Sequence, residues 1–228
     1  MIKRLAIFVE GLTEQEFVIQ LLKEIAGRRQ ITLEIRKQSC GHLTLVEIQT
    51  QPSPDFYILV VNCCNDDQVK SQIIDQHASL KAAGYSMIIG LRDVYPFQHS
   101  DITKLQSCLY AGLPVDHPSI NLHLAIMEVE AWFLEEINHF KNIDPKITES
   151  ELVNNGFDIN INLASDLPHP AETLDNIYKA VGKRYIKDKK RIQRTVNALS
   201  YEELYINVRS KSTSFDGFLT SIEHGLFC

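Results

Sequence analysis

The chain has 228 residues, of which 44% are hydrophobic and 23% charged, proportions that are ordinary for a soluble globular protein. No apolar run approaches the roughly 18–20 residues of a membrane-spanning helix, so we expect no membrane association. The net charge of −6 argues against a protein that coats nucleic acid by charge alone, but it is compatible with an enzyme that has local basic patches.

The N-terminus runs directly into a strand-like segment and does not have the pattern of a secretory signal. The five cysteines are odd in number and show no C-x-x-C spacing. Both observations predict reduced thiols and a cytoplasmic location.

The first 91 residues predict strands that alternate with helices. Continuous apolar runs indicate buried strands, whereas apolar residues at helical spacing indicate helices packed on them. Thr13 and Glu16 predict a capping box at the start of the first helix. In chain order we expect a strand at Leu5–Val9, a helix from Thr13 to about Ile25, strands at Ile31–Ile35 and Phe56–Val61, a polar turn at Asn65–Asp67, a helix over Val69–Leu80 and a strand at Ser86–Leu91.

The second part of the chain continues this alternation of strands and helices, and its amino-acid composition then changes. We predict a helix over Asp101–Tyr110, a strand over Ile120–Ile126 and a helix over Met127–Ile137. After residue 142 the composition becomes richer in Asp, Asn, Ser and Pro, and two further helices are predicted, near Ala171–Val181 and Lys183–Leu199. The pattern predicts an α/β fold: a mostly parallel sheet with helices on both faces over residues 1–142, and a helical C-terminal extension over residues 143–228.

Acidic residues follow several of the predicted strands. Glu10 comes after the first strand, Asp93 after the strand that ends at Leu91, and Glu128 and Glu130 after the strand at Ile120–Ile126. Ligands of open α/β sheets bind at the carboxyl ends of strands, and clustered carboxylates can hold Mg²⁺ for phosphoryl chemistry. This spacing makes an acidic metal site plausible.

Several of these residues also have structural explanations. Glu14 is favoured by the helix dipole in a first turn, and Asp93 could pair with Arg92. Glu128 and Glu130 lie two apart on a predicted helix and cannot face the same way, so one of them is expected at the surface. Glu10 has the weakest structural explanation, because a carboxylate directly after five apolar residues is costly to bury without a partner.

The segment Val9-Glu10-Gly11-Leu12-Thr13-Glu14 resembles the first motif of the TOPRIM domain, the fold of topoisomerases, bacterial primases, small ribosomal-RNA maturases and OLD-family nucleases. Leu91-Arg92-Asp93-Val94-Tyr95 is similar to the Asp-x-Asp motif of that domain, with Tyr95 in place of the second aspartate. The run from Ala125 to Leu134 resembles a bacterial TOPRIM-like group that is often encoded beside ABC-type ATPases in phage defence.

This resemblance, which covers roughly residues 1–140, implies a TOPRIM-like domain that cleaves phosphodiester bonds in DNA or RNA with Mg²⁺ or Mn²⁺. It assigns Glu10 as the general acid or base with Glu14 in support, and Asp93 as a metal ligand together with one of the two candidates Glu128 and Glu130. It also implies regulation by a partner ABC-type ATPase. The alternative is a non-enzymatic adaptor that binds nucleic acid or a protein, because Tyr95 replaces the second aspartate. The sequence leaves open the choice of DNA or RNA and the oligomeric state.

A basic run occupies the predicted C-terminal helices. It could neutralise backbone phosphates, although a solvated helix face is the more common explanation of such a run. Tyr178 and Tyr185 could stack on bases, but aromatic residues at helical spacing more often lie in a core. The basic residues assigned to nucleic-acid binding are Lys183, Arg184, Lys187, Lys190, Arg191 and Arg194.

Overall fold

The computed structural model describes residues 2–65 and 68–228 and confirms the predicted α/β fold. Its central feature is a six-stranded sheet of order β3-β2-β4-β1-β5-β6. β1 lies parallel to β4 and β5, β2 lies parallel to β4, and β3 pairs with β2 in the antiparallel direction. The strands are β1 Lys3–Val9, β2 Ile31–Ser39, β3 His42–Gln49, β4 Phe56–Asn62, β5 Met87–Asp93 and β6 Ser119–Ala125.

The helices come between these strands and after them. The α-helices are α1 Leu12–Ala26, α2 Gln68–Ala82, α3 Ile102–Leu109, α4 Glu130–Glu135, α5 His139–Ile143, α6 Glu149–Asn154, α7 Pro170–Ala180, α8 Lys189–Ala198, α9 Tyr201–Glu203, α10 Arg209–Lys211 and α11 Thr213–Phe227. A π-helical turn at Leu204–Val208 separates α9 from α10, and 3-10 turns lie at His99–Asp101 and Ala164–Asp166.

The chain divides into two compact units. The first comprises residues 1–92, 103–124 and 217–228, and the second comprises residues 93–102 and 125–216. Residue 142, near which the sequence predicts a domain boundary, lies inside the second unit. The predicted domains, residues 1–142 and 143–228, stay a prediction.

Buried apolar strands build the core of the first unit. Every residue of β1 from Leu5 to Val9 is buried, as the continuous apolar run predicted. Val9 lies opposite Leu91 in the parallel pair of β1 and β5. Gly90 allows close packing at β5, because a Cβ there would come within 2.4 Å of a Leu122 methyl carbon and 2.9 Å of an Ile73 methyl carbon.

The predicted strands and the larger helices of the sheet region are confirmed, with four corrections. The capping box is wrong: α1 begins at Leu12 with Gly11 as its N-cap residue and no side-chain cap, so Thr13 lies within the first turn. The antiparallel strand β3 was not predicted. The last helix of the sheet region begins at Glu130 rather than Met127, and the second C-terminal helix begins at Lys189 rather than Lys183.

The predicted turn at Asn65–Asp67 lies mostly outside the described residues, which omit Asp66 and Asp67. Among the described helices, none combines the length and the hydropathy that a membrane span requires.

Candidate metal centre

Three carboxylates of the second unit come from two short stretches of chain. Asp93 is the last residue of β5, Glu130 is the first residue of α4, and Glu128 lies in the turn between β6 and α4. We call these three residues the acidic cluster. One oxygen from each can be chosen so that all three lie within 4.8 Å of one another.

The turn before α4 explains how both glutamates join the cluster. Met127 has φ of +60°, in the left-handed region that a side chain rarely adopts, and this residue redirects the chain immediately before Glu128. The N–H of Tyr95 donates to the Met127 carbonyl at 2.8 Å, and the N–H of Val129 donates to Asp93 Oδ1 at 3.1 Å. These bonds attach the turn to the end of β5.

The expectation that one glutamate would be at the surface is wrong. Glu128 precedes the helix instead of lying on it, so helical spacing does not separate it from Glu130. The exposed fractions are 2% for Asp93, 6% for Glu128 and 0% for Glu130. Three buried carboxylates at this separation repel one another when ionised, and they need positive charge nearby.

Hydrogen bonds and one lysine hold the acidic cluster in place. The Tyr185 hydroxyl donates to Glu130 Oε1 at 2.7 Å, and the N–H of Ala171, in the first turn of α7, donates to Glu128 Oε2 at 2.8 Å. Lys187 Nζ lies 3.6 Å from Glu128 Oε1 and 3.7 Å from Glu130 Oε1. With its side chain 51% exposed, Lys187 reaches the cluster from the solvent side.

The two glutamates of the acidic cluster differ in how their charge is balanced. Burial raises the pKa of Glu128, the neighbouring Glu130 raises it further, and the Ala171 N–H and Lys187 oppose the shift. Glu130 Oε2 is buried and has no hydrogen-bond partner among the residues that the structure describes. The unpartnered Glu130 oxygen leaves an acceptor that a cation could use.

These features fit a divalent cation with a preference for oxygen. All three potential ligands are carboxylates, the ligand type that Mg²⁺ and Mn²⁺ prefer. The acidic cluster contains neither histidine nor cysteine. Oxygens bound to one Mg²⁺ lie at most about 4.2 Å apart, because each bond is about 2.1 Å long. Side-chain movements of about half an ångström would bring the three carboxylate oxygens, now within 4.8 Å of one another, to this separation.

The other two predicted catalytic residues belong to the first unit. Glu10 directly follows β1 and is partly exposed, whereas Glu14 is buried in the first turn of α1. Thr13 Oγ1 in the same turn is buried without a hydrogen-bond partner in the described part of the chain. The structure therefore brings Asp93, Glu128 and Glu130 together, and the role of Glu10 and Glu14 stays a prediction.

The predicted basic run is largely paired with carboxylates of its own unit. Arg184 makes two hydrogen bonds to Asp175, at 3.0 and 3.1 Å, and Lys183 Nζ lies 3.2 Å from Asp144. Arg191 pairs in the same way with Asp188 at 2.5 Å. Lys190 is exposed, and Arg194 NH2 donates to the Arg184 carbonyl. These pairings reduce the positive charge that the run offers to a phosphate backbone.

The sequence did not predict that Tyr185 and Lys187 contact the acidic cluster. Lys187 was assigned to nucleic acid and Tyr185 to a core or stacking role, yet both contact glutamates of the cluster. Tyr178 is buried, as the core interpretation expected. No local pattern links residues 185 and 187 to residues 128 and 130, because their contacts depend on tertiary packing alone.

Comparison with known proteins adds a family and no function. No curated protein and no solved structure matches the chain. A family model described as "Domain of unknown function (DUF4276)" matches residues 9–223, which is nearly the whole sequence. The chain therefore belongs to the DUF4276 family.

Proposed function

We propose that this protein is a Mg²⁺-dependent nuclease that cleaves phosphodiester bonds in DNA or RNA, with Asp93, Glu128 and Glu130 as its metal ligands. The observation that supports the proposal most directly is the acidic cluster: three buried carboxylates within 4.8 Å, one with an unpartnered oxygen. A bound Mg²⁺ or Mn²⁺ would supply positive charge to the phosphate and to the attacking and leaving oxygens.

The side chains around the cluster have distinct roles in this proposal. Tyr185 and the Ala171 N–H orient Glu130 and Glu128, as outer-sphere donors orient metal ligands in other proteins. Lys187, which is half-exposed, stabilises the carboxylates and is available to a substrate phosphate.

We further propose Glu10 as the general acid or base and Glu14 as its support, on the resemblance of Val9–Glu14 to the first TOPRIM motif. A partner ABC-type ATPase and a role in phage defence belong to the proposal on the same basis. A cytoplasmic location is consistent with the five free cysteines.

Metal binding and cleavage are measured separately to test the proposal. Calorimetry with Mg²⁺ and Mn²⁺ should show a site in the wild-type protein that is lost in Asp93→Asn and Glu130→Gln. Cleavage of labelled DNA and RNA should require the metal and disappear in Glu10→Gln and Asp93→Asn. Glu149→Gln, which changes an exposed carboxylate at the start of α6, is the matched control.

The non-enzymatic adaptor predicts different results. Lys187 already supplies one positive charge to the acidic cluster, and this contact is the observation that favours a metal-free ionic network. Absence of Mg²⁺ and Mn²⁺ binding would overturn the nuclease proposal and support the network. Metal binding without cleavage, with and without the partner ATPase, would support a metal-dependent adaptor.

A further inference from the structure

We infer that Tyr95 and His169 form a stacking platform for an unpaired base beside the acidic cluster, so that the substrate is single-stranded nucleic acid. The inference rests on the proposed nuclease function and adds its substrate class. It also gives a role to Tyr95, which replaces the second aspartate of the resembling motif.

The backbones of Tyr95 and His169 lie close to the acidic cluster. Tyr95 lies two residues after Asp93, and its backbone N–H donates to Met127, the residue before Glu128. His169 lies two residues before Ala171, whose N–H donates to Glu128. Two residues of chain span at most about 7 Å, so the Cα atoms of Tyr95 and His169 lie within that distance of those of Asp93 and Ala171, respectively.

The two rings are exposed and in contact with each other. Their centroids are 5.1 Å apart at an interplanar angle of 79°, an edge-to-face arrangement. Tyr95 is 40% exposed, whereas Tyr178 and Tyr185 of the same unit are 0% and 4% exposed. The exposed ring of Tyr95 is therefore accessible to a ligand, as those of Tyr178 and Tyr185 are not.

The chemistry of this surface favours a nucleobase. Bases stack on aromatic side chains with little dependence on sequence, at about 1–3 kcal/mol per base. A base inside a duplex has both faces covered by its neighbours, so only an unpaired or flipped base can use the platform. The half-exposed Lys187 at the acidic cluster adds a cation for the adjoining phosphate.

Binding of fluorescent oligonucleotides tests the platform without relying on cleavage. Short single strands of DNA and RNA that carry 2-aminopurine are titrated with the full-length protein in EDTA, and quenching reports stacking. We expect quenching by the wild-type protein and by Tyr95→Phe. Tyr95→Ala should lose the quenching and bind about tenfold more weakly, and His169→Ala should weaken binding less. Tyr205→Ala is the control, because Tyr205 is exposed to a similar degree but lies beneath the Arg209 guanidinium.

The outcomes separate this inference from the proposed function. Wild-type affinity and quenching in both Tyr95→Ala and His169→Ala, or a preference for duplex over single strands, would overturn the platform even if the protein cleaves nucleic acid. Quenching that depends on Tyr95 in a protein that cleaves no substrate with any metal would support the platform and overturn the nuclease.

Discussion

Glu136 and the acidic cluster are two places in the second unit where buried carboxylates are neutralised in different ways. Glu136 is 1% exposed, and its two oxygens accept backbone N–H groups from Asn138 at 2.8 Å, His139 at 3.1 Å and Ser200 at 3.0 Å. Burial raises its pKa and the three N–H groups oppose the shift. The acidic cluster has three carboxylates and an oxygen of Glu130 that no described residue satisfies.

This difference predicts that Glu136 serves the fold and that the acidic cluster serves a ligand. Glu136 fastens the starts of α5 and α9 with its hydrogen bonds, and both of its oxygens are occupied. The acidic cluster keeps, at Glu130 Oε2, acceptor capacity that a cation could use. Burial alone does not distinguish a candidate site from a carboxylate that stabilises the fold. The distinguishing feature is a carboxylate oxygen that accepts no hydrogen bond.

Removal of the Glu136 carboxylate should give the largest effect. We expect Glu136→Ala to lower the free energy of unfolding by about 3–5 kcal/mol, because three backbone N–H groups lose a buried carboxylate as their acceptor. Urea denaturation measures the loss, with Glu149→Ala as the exposed control. A loss below about 1 kcal/mol would contradict a structural role for Glu136.

His139, which is fully buried beside Glu136, should make the free energy of unfolding depend on pH. Burial lowers the pKa of His139 to about 4, below its ordinary value of 6.5. Between these values the unfolded chain takes up a proton that the folded protein does not, so stability falls as the pH decreases from 6.5 to 4. The loss is about 3 kcal/mol.

His139→Phe isolates this contribution from those of other groups. Burial also lowers the pKa of His123 to about 4 and raises the pKa of Glu136. Several groups therefore contribute to the pH dependence of the wild-type stability. The difference between the wild-type and His139→Phe stability curves should change with pH between 6.5 and 4. Parallel curves would show that His139 does not resist protonation in the folded protein.

The acidic cluster should respond to substitution in the opposite direction from Glu136. In EDTA we expect Glu130→Gln to be as stable as the wild-type protein or more stable, because it removes repulsion between buried carboxylates. Mg²⁺ at about one hundred times its Kd should stabilise the wild-type protein by about 2.7 kcal/mol and the variant by much less. Thermal unfolding with and without Mg²⁺ measures both effects. A large loss of stability in EDTA would make the cluster structural, like Glu136.

Tyr185 should give the smallest effect. Tyr185→Phe removes the hydroxyl that donates to Glu130 Oε1 while it keeps the ring that packs near Tyr178. We expect about a tenfold loss of metal affinity, because outer-sphere donors orient their ligands. Calorimetry with Mn²⁺ measures the change, and an unchanged Kd would show that the tyrosine serves packing alone.

Local sequence patterns predicted much of the fold because buried parallel strands and amphipathic helices have distinct periodicities. Leu5–Val9 and Phe56–Val61 are continuous apolar runs, and both are strands. β3 was missed because most of its residues are exposed, so neither face shows a hydrophobic pattern. The predicted start of the helix at Met127 failed because a left-handed residue has no periodic signal.

The sequence by itself determined the α/β class and the identity of the three acidic residues that could bind metal. Only the tertiary structure decided that both glutamates face Asp93 and that Tyr185 and Lys187 complete their surroundings. The physical reason is distance along the chain: residues 93, 128 and 187 meet through packing between elements. Periodicity reports only which face of a single element is buried.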